Sequence, residues 1–120
     1  MHLVDLSGIS ERRVDANGSS GLSVGGLGLT SDAHLVVVHL RPGGVIGRHP
    51  APARQLLVVV SGDATVAGGD SSPVEIGPGQ AVVWEAGEPH ETRSSGGLLG
   101  FLVEGDLDVR TGPVGEADPP

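Results

Sequence analysis

The sequence predicts an all-β chain, folded as a sandwich or small barrel of seven to nine short strands. Three observations lead there. The 120 residues include 21 glycines and 9 prolines, so one position in four is a turn former. The apolar residues are mainly Val, Leu and Ala, gathered into short runs that stop at Gly, Pro or Ser. No segment combines helical length with a 3.6-residue apolar period. A chain of this length is one domain with enough material for a core.

The elements follow in order. Residues 1–20 start with a short apolar stretch and pass into "ERRVDANGSSG", which reads as an N-terminal arm or edge strand. The barrel body spans 21–105. It opens with "LSVGGLGLT" (22–30), a strand loosened by glycine, and continues with "AHLVVVHL" (33–40), which "RPGG" ends. A further strand runs from Arg54 to Val60 and closes at Ser61-Gly62-Asp63. "ATVAGG" (64–69) returns as its hairpin partner. "VEI" (74–76) is short, "AVVWEA" (81–86) is another strand, and "GEPHETRS" (87–94) turns before it extends again. "LLGFLVEG" (98–105) is the last strand, and 106–120 reads as a solvated acidic tail ending in Pro-Pro.

The strand from Gln55 to Val60 is apolar on both faces, which marks a strand covered on both sides. One side is the barrel interior. The even-numbered residues, Leu56 and Val58 among them, point outward and need cover that no amphipathic helix supplies. A symmetric homodimer through sheet packing is the expected solution, with the N-terminal strands as a partial alternative.

Charge and composition exclude several function classes. A net charge of -8, with no lysine and seven scattered arginines, offers no basic patch for nucleic acid. The absence of cysteine removes disulfides, thiolate metal sites and thiol nucleophiles, in keeping with a reducing cytoplasm. "MHLVDLSGISERRVD" lacks the apolar run of a signal peptide, and no stretch approaches the roughly 20 apolar residues of a membrane span. The expectation is a soluble cytoplasmic protein that meets neither nucleic acid nor membrane.

The stretch "GGVIGRHPAPARQLLVVVSG" (43–62) carries the first chemical signal. His49, Ala51 and Gln55 have odd numbers, so an extended chain points them to one face. Pro50 and Pro52 lack an N–H, which keeps the chain around Ala51 out of a fully paired central strand. It should lie at an edge or barrel mouth, open to something other than another backbone. Further on, His90 follows Pro89 at the start of an extended segment. If the sheet closes, His49, Gln55 and His90 converge on one interior. That shared face is open to three readings: a metal site, the remnant of one, or ordinary core.

The spacing of these residues resembles that of the cupins. The first cupin motif runs Gly, five residues, His, one residue, His, three residues, Glu, six residues, Gly. Here it falls on Gly43, His49, Ala51, Gln55 and Gly62, with two of three ligand identities changed. The second runs Gly, five residues, Pro, one residue, Gly, two residues, His, three residues, Asn. It falls on Gly79, Glu85, Gly87, His90 and Ser94. The resemblance implies a double-stranded β-barrel of jelly-roll type, built from two antiparallel sheets. It also implies a divalent metal (Zn, Fe, Mn, Ni or Cu) held by His49, Gln55 and His90. Compared with three His and one Glu, this set lacks one nitrogen and one negative charge.

Three more residues are candidates for binding a ligand at the mouth. His39 and Arg41 share strand parity just upstream of the first motif; in the resembling fold that strand lines the barrel. Trp84 offers a wall against which a ligand could stack. Each has a plainer alternative: a packed or half-exposed histidine, a solvated arginine, a core indole. No Ser elbow, Cys or Tyr provides a nucleophile, so chemistry would pass through a metal or through His49 and His90 as acid and base. The function expected is binding of a divalent metal and a small polar or acidic molecule. The alternatives are a non-catalytic binding or sensing module and a structural subunit with a residual site.

Overall fold

The computed structural model describes residues 1–15, 18, 20, 22–30 and 32–113. In chain order the strands are β1 (His2–Asp5), β2 (Glu11–Val14), β3 (Leu22–Thr30), β4 (Ala33–Leu40), β5 (Val45–Pro50) and β6 (Arg54–Gly62). They continue with β7 (Ala64–Gly68), β8 (Val74–Ile76), β9 (Gln80–Trp84), β10 (Pro89–Arg93), β11 (Leu98–Gly105) and β12 (Asp108–Pro113). A 3-10 turn spans Leu6–Gly8. No helix among them is long and apolar enough to cross a membrane.

Two compact units result. The first contains Met1–Ser7 and Ser31–Leu107. Its five-stranded sheet has the order β1-β9-β6-β11-β4, and its four-stranded sheet the order β5-β10-β7-β8. Every pairing is antiparallel. This is the expected all-β architecture of two antiparallel sheets.

Strand alternation fills the space between them. Gln55 pairs with Trp84 and Leu57 with Val82, so the odd residues of β6 and the even residues of β9 share the inner face. Leu57, Val59, Val82, Trp84 and Leu98 meet Ala64, Val66 and Ile76 of the opposite sheet in one buried cluster. Each large apolar side chain buried there contributes on the order of 1.5–3 kcal/mol. Gly62 makes the turn possible. Its φ is 89°, and a Cβ there would lie 1.9 Å from the carbonyl oxygen of Gly97.

Asp63 then ties this turn to the loop before β11. Its carboxylate accepts from the Ser95 N–H at 3.0 Å and the Gly96 N–H at 2.7 Å, with the Ser95 hydroxyl at 3.0 Å. Those two backbone N–H groups hold the carboxyl below the ordinary aspartate range.

The second unit runs from Gly8 to Thr30 and resumes at Asp108. It is a three-stranded sheet of order β12-β3-β2. The described chain is therefore grouped differently from the linear division into 1–20, 21–105 and 106–120. The glycine-loosened strand β3 pairs with β2 and β12, not with the strands of either larger sheet. Residues 108–113, expected within the solvated tail, form a strand. The acid content there is a poor guide, because the backbone of Asp108–Pro113 pairs with β3 along its whole length. Residues 114–120 lie outside the described residues.

Candidate functional site

β5 is the edge of the four-stranded sheet, and its neighbour β10 sets His90 directly across from His49. The two imidazole rings lie 4.5 Å apart, inclined at 51°. Each has its Nδ1 against a main-chain carbonyl: His49 on Gly47 at 2.7 Å, His90 on Glu88 at 3.2 Å. A carbonyl oxygen only accepts, so Nδ1 carries the proton and the neutral ring has its lone pair on Nε2. Carbonyl-held imidazoles of this kind are oriented as metal ligands are.

The pair is asymmetric. His49 is exposed, whereas His90 is only 3 % exposed. Burial pushes the pKa of His90 below the usual histidine value, and the Glu88 carbonyl only partly opposes it; the neighbouring charge on His49 adds to the fall. His90 is therefore neutral near pH 7, with no proton to displace before it can donate its lone pair.

The family-like spacing also places Ala51, but the backbone there is closed. Its N–H donates to the Glu88 carbonyl at 3.0 Å, and its own carbonyl accepts from the Gly87 N–H at 2.7 Å. The edge position matches the reading of Pro50 and Pro52. The expectation of an unpaired backbone does not hold, because the β9–β10 turn supplies the partner. The Ala51 methyl is buried where a second imidazole would start.

Trp84 stands against His90, with ring centroids 4.8 Å apart. It is fully buried, and its Nε1 donates to the Ala67 carbonyl at 3.0 Å. Trp84 thus supports His90 from behind. Gln55 is buried next to Trp84 in the ladder, and its Nε2 donates to Glu104 Oε2 at 3.1 Å. This leaves Oε1 as the Gln55 atom that could meet a ligand. Glu104 was not singled out from sequence. It faces Gln55 across β6–β11, so a carboxylate stands one strand away from the position where cupin motifs carry one. The signal was the parity of β11: Leu102 packs on the core, and Glu104 lies two residues on.

His39 and Arg41 are not brought to this group. Val38 and Leu40 pack against the core, so His39 takes the opposite face of β4, where it pairs with Leu99 and is exposed. Arg41 is exposed beyond the strand end. Glu88 is engaged elsewhere. It holds the Met1 ammonium at 2.7 Å and the Glu85 N–H at 3.0 Å. Burial raises its pKa, but these partners outweigh burial and leave the carboxyl below its ordinary value.

The donor set can be compared with what a divalent ion needs. Among the described residues, no three His, Asp or Glu side chains are grouped to share one ion. Two oriented imidazoles fit a weakly held ion with several open positions. They do not make a tight four-ligand centre.

Comparisons with known proteins agree with the fold. A family model described as a Cupin domain matches residues 36–102. A conserved protein of unknown function from Streptococcus pyogenes has 28% sequence identity and a TM-score of 0.58, over 66% of this chain and 68% of its own. A structure of the DMSP lyases RdDddP and RnDddQII has 25% identity and a TM-score of 0.57, over 68% of this chain but 45% of its own. An RmlC-like cupin family protein with a double-stranded β-helix fold, from Methanocaldococcus jannaschii, has 16% identity and a TM-score of 0.59, over 81% of this chain and 89% of its own. Among curated proteins none matches the sequence.

Proposed function

Because this chain belongs to the cupin family, we propose that its barrel mouth binds a divalent ion (Zn, Fe, Mn, Ni or Cu) on His49 and His90, together with a small polar or acidic ligand. The observation that carries this reading is the pair of imidazoles 4.5 Å apart, each with Nδ1 held by a main-chain carbonyl. Two fixed Nε2 lone pairs on adjacent strands are more than a packed histidine requires. When bound, the ion would supply Lewis acidity and open positions for a ligand oxygen.

The rest of the work belongs to the chain. His90, buried and neutral, would serve as the fixed donor, and Trp84 would keep its ring in place. His49, exposed, would be the group that meets incoming ligand and exchanges protons with it. Gln55 and Glu104 would present an amide oxygen and a carboxylate to hydroxyl or amine groups of that ligand. The absence of cysteine fits action in the reducing cytoplasm.

A second reading is favoured by one observation, the buried methyl of Ala51 in place of a third imidazole. On that reading the mouth is a metal-free binding or sensing pocket.

The experiment is elemental analysis of the purified protein, followed by calorimetric titration with zinc and nickel. The unmodified chain should take up one ion weakly, and His90→Ala should take up none while keeping its β-type circular dichroism. Equal stoichiometry in the variant would place the ion elsewhere. No uptake by either protein would favour the metal-free pocket.

A further inference from the structure

Glu104 stands apart from the other acids of the chain. Five carboxylates among the described residues are half-buried: Asp63, Glu88, Glu91, Glu104 and Asp108. Four of them are compensated. Arg93 stands at Glu91, Arg110 at Asp108 and the Met1 ammonium at Glu88, and Asp63 accepts from two backbone N–H groups. Glu104 has one neutral donor, Gln55 Nε2 at 3.1 Å, and no cation among the described residues. Withdrawing a carboxylate from water costs stability unless it is paired, so a positive charge is missing here.

The place of this acid in the fold ties it to the barrel mouth. Leu102 packs on the core, so Glu104 takes the inner face of β11. Register sets it between His34 on β4 and Gln55 on β6. Gln55 pairs in turn with Trp84, whose ring lies 4.8 Å from that of His90. One row of side chains thus leads across the sheet toward the histidine pair. Its β4 end is open, because His34 and Val36 share the inner face and both are exposed. Gln55 adds a second oxygen. Its amide donates to Glu104, which leaves Oε1 as the free end. No buried side-chain polar atom among the described residues lacks a hydrogen bond, so this oxygen, which accepts none, reaches solvent.

On the reading that the mouth takes a small polar ligand, we infer that Glu104 and Gln55 recognise a cationic nitrogen bearing N–H groups, an ammonium or a guanidinium, on that ligand. Charge is the first reason. A purely anionic ligand would meet like charge at Glu104, and a hydroxyl would leave the carboxylate uncompensated. The net charge of -8 draws cations toward the chain. A metal ion on His49 and His90 does not supply the missing charge, since no three His, Asp or Glu side chains among the described residues are grouped to share one. Hydrogen bonding is the second reason. Two acceptor oxygens call for donors, which a quaternary onium lacks. The aromatic face that would hold an onium is also missing: the single Trp is fully buried, and the single Phe lies at position 101, on the opposite face of β11 from Leu102.

The test uses the metal-free full chain, so it stands whether or not the histidine pair takes up an ion. In a heteronuclear NMR titration, ethylammonium chloride should shift the Gln55 side-chain amide signals saturably, with a dissociation constant of about 1–10 mM. Tetramethylammonium chloride and sodium acetate at the same ionic strength should bind at least about tenfold more weakly. Glu104→Gln keeps the shape and removes the charge. It should weaken ethylammonium binding at least about tenfold, with zinc uptake and β-type circular dichroism unchanged. Equal responses to the two cations would reduce the effect to bulk charge and overturn the inference. So would the absence of a saturable shift, or undiminished affinity in Glu104→Gln. A loss of zinc uptake in that variant would give the carboxylate to the ion, and would overturn it too. The comparison of the two cations needs no variant, so a misfolded Glu104→Gln would not shelter the inference.

Discussion

β9 and β4 have nearly the same composition and opposite fates. In "AVVW" (81–84) all four side chains are buried. In "LVVV" (35–38) the first three are exposed and only Val38 is half-buried. Valine content made both of them strands, because β-branched side chains suit the pleated backbone. Sheet order made the difference. β9 lies between β1 and β6, whereas β4 is the last strand, with β11 on one side only. Strand formation is a local property of the residues. Burial depends on which strand arrives next.

The largest expected effect tests that contrast directly. Trp84→Ala should cost about 3–5 kcal/mol, since it empties a fully enclosed site. Val36→Ala, on the inner face of the edge strand and 45% exposed, should stay within about 0.5 kcal/mol. Urea titration of the two variants measures both. Equal costs would show that the edge strand is covered in solution on its inner face.

The second test contrasts the barrel mouth with the sheet edge. Ala51→His combined with Gln55→Glu adds an imidazole and a charge near His49 and His90. Zinc affinity should rise by at least about tenfold, or roughly 1.4 kcal/mol. An imidazole introduced at the edge, Val36→His, should leave it unchanged. Calorimetry decides, and no gain in the double variant would mean that the enclosed backbone of Ala51 holds the new ring away from the site.

Two smaller effects are read from pH. The pKa of Asp63 is lowered by the N–H groups of Ser95 and Gly96, so the stability it contributes is present above its unfolded value of 3.8. That contribution is lost as pH falls through the lower folded value. Asp63→Asn should flatten the acid limb of Tm against pH. His90 acts in a different window. Its folded pKa lies below the unfolded 6.5, so the folded chain is most favoured above pH 6.5 and loses stability as pH falls from there toward the folded value. His90→Gln should remove that shallow limb. A limb that persists in the variant would assign it to another histidine.

The sequence by itself determined the positions of strands β4 and β6 to β11 to within a few residues, the glycine turns at Gly62 and Gly87, and the family spacing of His49 and His90, while β5 was legible only as an edge segment around Ala51. These are local matters: turn chemistry, β propensity, and a two-residue alternation that any extended chain obeys. Alternation fixes which residues share a face, but only the partner strand decides which face is inward. Tertiary structure therefore turned His39 outward beside Leu99, set Glu104 against Gln55, and closed the backbone of Ala51 with Gly87 and Glu88. It also drew 108–113 into a sheet with β3, although acid content alone reads that stretch as tail. Each of these depends on register between segments far apart in the chain, and a slip of one residue would reverse the face of every side chain involved.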